Sequence, residues 1–188
     1  MKVNDVRVRP AVPDDASAIA GIHVRTWRSA YRGLLPDAAL SALSLVGRFR
    51  LWQRMLNDES APVAVHVAET AGEIVGFCSV GSAQDPADQD PDISELFTIY
   101  VDPEHQDRGV GSRLLFTAEA TMREWGSVRG VLWVLDGNVR ARSFYARHGW
   151  SADGAVKTDT ILGVEVHEAR FRKALHDEAA QADVAGRS

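Results

Sequence analysis

Apolar and polar positions change rhythm several times along this chain of 188 residues. "VRVRP" alternates with a period of two and reads as a short first strand ended by Pro10. From Pro13 the rhythm turns helical: Ile19, His23, Trp27 and Tyr31 recur about one turn apart, with Asp14 and Asp15 at the positive end of the helix. "RGLLPDAAL" breaks and restarts the pattern, after which Leu45, Phe49, Trp52 and Leu56 fall on one helical face. Val63, Val65 and Val67 then alternate as a strand, a turn centres near Gly72, and "IVGFCSVG" completes a hairpin.

"SAQDPADQDPD" is a proline-broken acidic loop, and "ISELFTIYVD" is a strong strand. "SRLLFTAEATMREWG" predicts a helix with Leu114, Leu115, Ala118, Met122 and Trp125 inward and Gly126 as its stop. "RGVLWVL" is almost continuously apolar, as a central strand buried on both faces must be. "NVRARSFYARHG" predicts a short helix with Asn138 as N-cap and Gly149 past its end. "TILGVEVHEARFR" reads as a final strand or as a hairpin turning at Leu162–Gly163. The order describes a mixed α/β chain, with a right-handed parallel strand–helix–strand unit from Glu95 to Leu135. One domain is expected over residues 1–175, followed by a flexible tail over 176–188.

Composition narrows the function classes. The chain is 45% hydrophobic and 25% charged, with 21 basic and 26 acidic residues for a formal net charge of -5. That balance argues against a general nucleic-acid binder. The single cysteine, Cys78, rules out an intramolecular disulfide and reads as a small buried hydrophobe on a strand. The N-terminus lacks the apolar core of a signal peptide and no run reaches membrane-spanning length, so no membrane partner and a cytoplasmic location are expected.

The stretch "VDPEHQDRGVGSRLL" carries the chemistry. A strand stops at a proline, polar residues follow, and Gly109 and Gly111 lead into a helix. The first turn of a helix has unpaired N–H groups and partial positive charge, and glycines let an anion approach them, so a phosphate fits. A tight turn that simply needs glycine is the alternative. A dinucleotide fingerprint would need a third glycine where Leu114 stands, and a P-loop would need lysine after Gly111, where Ser112 stands.

"QDRGVG" following "LFTIYVDPEH" resembles the acyl-CoA signature of the GNAT superfamily of N-acetyltransferases, and "NVRARSFYARHGW" resembles its second half through Asn138, Ala141, Phe144, Tyr145, Gly149 and Trp150. The resemblance spans roughly residues 5 to 173. It implies a mixed, mostly antiparallel sheet of six to seven strands, with a central splayed parallel pair and helices on both faces. It also implies acetyl-CoA as co-substrate and an amine-bearing acceptor, with direct transfer in a ternary complex.

Carried onto this sequence, the resemblance places the pantetheine arm against free backbone groups of Ile99, Tyr100 and Val101. The pyrophosphate falls on the stretch Gln106, Asp107, Arg108, Gly109, Val110, Gly111 and Ser112. Asn138 and Ala141 complete the cofactor contacts. Tyr145 matches the proton donor to the departing sulfur, with a core aromatic as the alternative and Phe144 better suited to the core. Glu95 stands where relatives carry the carboxylate that removes the amine proton, with an exposed strand-edge glutamate as the alternative. Trp27 and Tyr31 fall on the acceptor-pocket wall. Many relatives pair through their C-terminal strands, which leaves a homodimer open.

No metal is expected. His167–Glu168 begins like a zinc-protease helix but Phe171 occupies the fifth position, and "DPADQDPD" lacks the glycine and glutamate of a calcium loop. That acidic segment reads as a solvated, mobile loop. The competing functions are a catalytically silent acyl-CoA-binding module and a nucleotide-binding regulator. The sequence does not name the acceptor.

Overall fold

The computed structural model describes residues 6–58, 60 and 62–175. The stretch 176–188, read above as a tail, lies outside the described residues. Seven strands form one sheet in the order β1-β2-β3-β4-β5-β7-β6. They are β1 (Arg7–Pro10), β2 (Val63–Thr70), β3 (Glu73–Ser82), β4 (Ile93–Val101), β5 (Arg129–Leu135), β6 (Ser151–Ile161) and β7 (Val164–Ala174). The helices are α1 (Ala16–Ala30), α2 (Asp37–Ser41), α3 (Leu45–Asn57), α4 (Val110–Glu124) and α5 (Val139–Arg147). Every neighbouring pair is antiparallel except β4 and β5.

The hydrophobic pattern explains the layers. Ile19 and Ile22 of α1 and Trp52 of α3 pack on Val65, Val67 and Phe77 on one sheet face. Leu114, Leu115, Ala118 and Met122 of α4 cover the other face with Leu132, Val134 and Trp150. β3, covered from both sides, accordingly has the longest buried run, and β5 is buried at every position except Arg129 and Trp133. Within the second layer Glu119 is almost fully buried, and it accepts from Trp150 Nε1 at 2.9 Å and from Lys173 Nζ at 2.8 Å. A buried carboxylate needs such partners.

Two expectations about helix faces fail at helix ends. Trp125 is 47% exposed, because α4 stops at Glu124 and the chain turns away through Gly126 at φ 86°. Leu45 is 54% exposed in the first turn of α3, just after the Ser44 cap. α4 also begins earlier than predicted, at Val110, so Gly111 lies inside its first turn and Gly109 is the N-cap.

The C-terminal segment is a hairpin rather than one strand, turning at Leu162 and Gly163, both with positive φ. The acidic loop is anchored rather than solvated at its centre. Asp88 is buried and pairs with Arg170, Nη1 to Oδ2 at 2.7 Å, and with Arg172. Asp153 of β6 takes the other side of the same two guanidinium groups. The segment is therefore tied to β7 by fully paired charge.

Candidate active site

The parallel pair opens. Its register holds only for Ile93, Ser94 and Glu95 against Arg129, Gly130 and Val131. Beyond Glu95, β4 continues to Val101 on β3 alone, and a bulge opposite Ser79–Val80 takes up Phe97 as an extra residue. β5 continues on β7 as far as Leu135. A cavity of about 600 Å³ occupies the resulting cleft and runs from the loop before α4 to the end of α1 and the tip of β6.

At one end the loop bends through two left-handed residues, Asp107 at φ 58° and Gly109 at φ 79°. The turn delivers the first-turn N–H groups of α4 to the cavity, where they lack helical acceptors. A Cβ at Gly111 would meet the Phe144 ring edge at 3.4 Å and Val101 Cγ2 at 3.7 Å, ordinary contacts with two side chains beside the cavity that Gly111 lines. Ile99, Tyr100, Val101, Gln106, Asp107, Gly109, Gly111, Ser112, Asn138 and Ala141 all line the cavity. Arg108 and Val110 do not: Val110 points into the core and Arg108 is exposed. The Val101 carbonyl is not free, since Thr26 Oγ1 donates to it at 3.2 Å and Gln106 Nε2 at 3.1 Å. The Asn138 side chain accepts from Ala141 N–H at 3.1 Å, which leaves its amide N–H groups for other acceptors.

Tyr145 and Phe144 both reach the cavity. Contrary to the expectation that Phe144 would be the core member, Tyr145 is the more buried and belongs to the main cluster, with Phe144 packed against it. Burial, then the neighbouring Tyr100 and Cys78, raises the Tyr145 hydroxyl well above an ordinary phenol, so it keeps its proton at neutral pH. Cys78 is itself buried, and burial pushes its thiol up to about 12.

Glu95 is buried and does not line the cavity. Its carboxylate accepts from Gln84 N–H at 2.9 Å, and burial raises its pKa against that bond. The carboxylate that does line the far end is Glu168 of β7, which the sequence presented only as part of a failed zinc motif. Glu168 lies opposite Leu135 of β5 and Lys157 of β6, and antiparallel partners share a face. That face lies under α1 and α2, where Leu135 joins Val24, Leu35 and Leu40.

Trp27 and Tyr31 also line this end and meet edge to face at 5.0 Å. Burial, with the facing Tyr100 hydroxyl second, keeps Tyr31 un-ionised. His23 completes the wall. Trp52 Nε1 donates to its Nδ1 at 3.1 Å, and burial followed by Arg48 lowers its pKa to about 3, so the ring is neutral with Nε2 protonated. Among the described residues no helix is long and apolar enough to cross a membrane, and no group of three His, Cys, Asp or Glu side chains is placed to hold a metal ion.

A split parallel pair with a glycine-lined helix start beside it defines a mixed α/β protein with a cleft through its sheet. The acetyltransferase (GNAT) family model matches residues 24–150, and the chain belongs to that family. It is 30% identical over 180 residues to a Mycobacterium tuberculosis protein named a probable N-acetyltransferase, covering 92% of this chain and 95% of that one. It is 27% identical over 133 residues to the Bacillus subtilis N-acetyltransferase YuaI, covering 71% and 73%. In fold it resembles the PaiA N-acetyltransferase of Thermoplasma acidophilum solved with coenzyme A, with TM-score 0.71 and 18% identity over 90% of this chain and 98% of that one. It also resembles YncA of Salmonella typhimurium solved with acetyl-CoA, with TM-score 0.67 and 18% identity over 94% and 97%.

Proposed function

We propose that this protein transfers an acetyl group from acetyl-CoA to an amine, directly, with both substrates bound together. The observation that carries the reading is the seam that stops after Glu95, with the cavity running through it from the α4 start to the aromatic wall of α1. A pantetheine arm laid along Ile99 and Tyr100 would bring a thioester to Tyr145, while its diphosphate met the first-turn N–H groups of α4. Asn138 would bond the arm through its free amide.

Both substrates enter one cavity, so no acyl-enzyme is needed. A covalent route through Cys78 is disfavoured by its burial and high thiol pKa. The amine nitrogen attacks the thioester carbon, the C–N bond forms, and the C–S bond breaks. Tyr145 is suited to protonate the departing thiolate because burial keeps its hydroxyl intact. The test is thiol release from acetyl-CoA over a panel of amines, beside calorimetric binding of coenzyme A. Coenzyme A binding without turnover on any amine would favour the silent module; stabilisation by ATP or NAD instead of coenzyme A would favour the nucleotide-binding regulator.

A further inference from the structure

Resting on the acetyltransferase reading, we infer that Glu168 anchors the acceptor's ammonium and takes its proton, and that the acceptor is a compact primary amine with an apolar body and no anionic group. Three observations converge. First, Glu168 is the carboxylate lining the end of the cavity away from the α4 loop, and it lies on a wall otherwise built from Trp27, Tyr31, Trp133, Leu135 and Ile161. The arginines that line the cavity, Arg140 and Arg147, belong to α5, whose Arg140 pairs with Asp107 in the α4 loop. Asp107 lines that end too and offsets Arg140, so Arg147 is the net cation among the lining residues at the cofactor end and Glu168 the acid at the acceptor end.

Second, the protein already displays the recognition chemistry. The Lys157 ammonium lies 3.4 Å from Glu168 Oε2 and 4.5 Å from the centre of the Trp133 ring. That is an alkylammonium held by one carboxylate and one indole face, an arrangement suited to a primary amine. Lys157 itself does not line the cavity, so it meets the pair from outside.

Third, two elements close together beside the acceptor end. Leu35 and Leu40 from the α1–α2 region share one apolar cluster with Ile161, Leu162 and Val164 from the β6–β7 hairpin tip. A chain such as a polypeptide N-terminus needs a groove continuing past the amine, and Ile161, which lines the cavity there, is held in this contact. An amino acid is the rival class, because its carboxylate would accept from the unpartnered Trp133 Nε1 or His23 Nε2. The cations nearest this end, Arg48 over the Trp27 ring at 5.3 Å and Lys157 against Glu168, both stand behind the lining, so neither faces that carboxylate from inside the cavity.

The protons balance. Glu168 takes one proton from the ammonium and passes it to solvent, freeing the lone pair. After attack the nitrogen carries a second proton. Tyr145 gives its proton to the thiolate, and the tyrosinate recovers one from the nitrogen. One proton is released per turnover. Burial raises the Glu168 carboxyl, and Lys157 opposes the shift, so Glu168 is a stronger proton acceptor than an exposed glutamate.

The experiment compares phenethylamine, phenylalaninamide and phenylalanine as ligands of the protein loaded with coenzyme A, read by calorimetry and, with acetyl-CoA, by thiol release. Phenethylamine and phenylalaninamide are expected to bind about tenfold or more tighter than phenylalanine. Glu168→Gln is expected to weaken phenethylamine by about tenfold or more with coenzyme A affinity unchanged. Preference for phenylalanine, for a phenylalanine-initiated tripeptide, or an unaffected Glu168→Gln variant overturns the inference while leaving the acetyltransferase reading intact. Wild-type protein that does not bind coenzyme A overturns the parent reading and this one together. The ligand comparison in the wild type decides the question even if the variant misfolds.

Discussion

Ser112 Oγ lies 2.9 Å from His148 Nε2, and Nδ1 of the same ring lies 2.8 Å from the Phe144 carbonyl. A carbonyl only accepts, so in the neutral ring Nδ1 carries the hydrogen and Ser112 donates to Nε2. The first turn of α4 is thereby tied to the end of α5 across the cofactor end of the cavity. His148→Ala removes the tie. Coenzyme A affinity is expected to fall about three- to tenfold, the scale of one hydrogen bond, as read by calorimetry. Unchanged affinity would mean the loop holds its shape without α5.

Tyr145→Phe should lower kcat by about a hundredfold or more while coenzyme A still binds. The ring stays in the core cluster, so folding is expected to persist. Steady-state kinetics with a calorimetric control separates the two effects, and an unchanged kcat would remove Tyr145 from proton transfer.

Gly109→Asp should abolish measurable coenzyme A binding. The position has φ 79°, which disfavours a side chain, and the carboxylate would face incoming phosphates. Circular dichroism should retain the wild-type spectrum. A variant that binds coenzyme A normally would move the diphosphate site elsewhere.

Lys173→Met should destabilise the fold by about 2 kcal/mol, because it strips the closer of two cations from a Glu119 side chain that is 2% exposed and leaves Arg123 at 3.3 Å. Adding Glu119→Gln should recover part of the loss, since the buried charge that Arg123 and Trp150 alone would have to balance is then gone. Urea midpoints of the single and double variants test the pairing.

Acid stability should depend on Asp15. The Arg9 guanidinium bonds its carboxylate at 2.6 Å and 3.0 Å, holding it below the usual aspartate range, with burial opposing and the Val12 N–H helping. A depressed native pKa contributes stability above about pH 4, the unfolded value, which is lost as pH falls through the lower native value. Asp15→Asn should therefore flatten the pH dependence of urea unfolding between about pH 5 and pH 2.

The central elements were legible because their signals are local. β5 announces itself by composition, Asn138 and Gly149 bracket α5, and Gly72 marks the β2–β3 turn. What failed was non-local or terminal. Periodicity assigns Trp125 to the α4 stripe but does not say that the helix has ended one residue earlier. All of β6 before Thr160 was invisible because an edge strand exposed along most of its length has no buried alternation to read. Asp88 looks like a loop acid until Arg170 and Arg172 arrive from residues some eighty positions away. Glu168 gains meaning only once β7 is known to lie beside β5, which brings it onto the face under α1. Glu95 shows the converse, since its motif position is clear but its orientation toward Gln84 is not encoded in the motif.

The ladder that stops after Glu95 also bears on how the free protein behaves. Past that point β4 and β5 forgo pairing with each other, and water or a guest must answer their inward amides and carbonyls. A guest that does so adds cohesion the bare sheet lacks, so melting should shift upward with ligand concentration, and amide hydrogens along the cleft should exchange more slowly once it is filled. Crystallisation and storage are then best attempted with the cleft occupied.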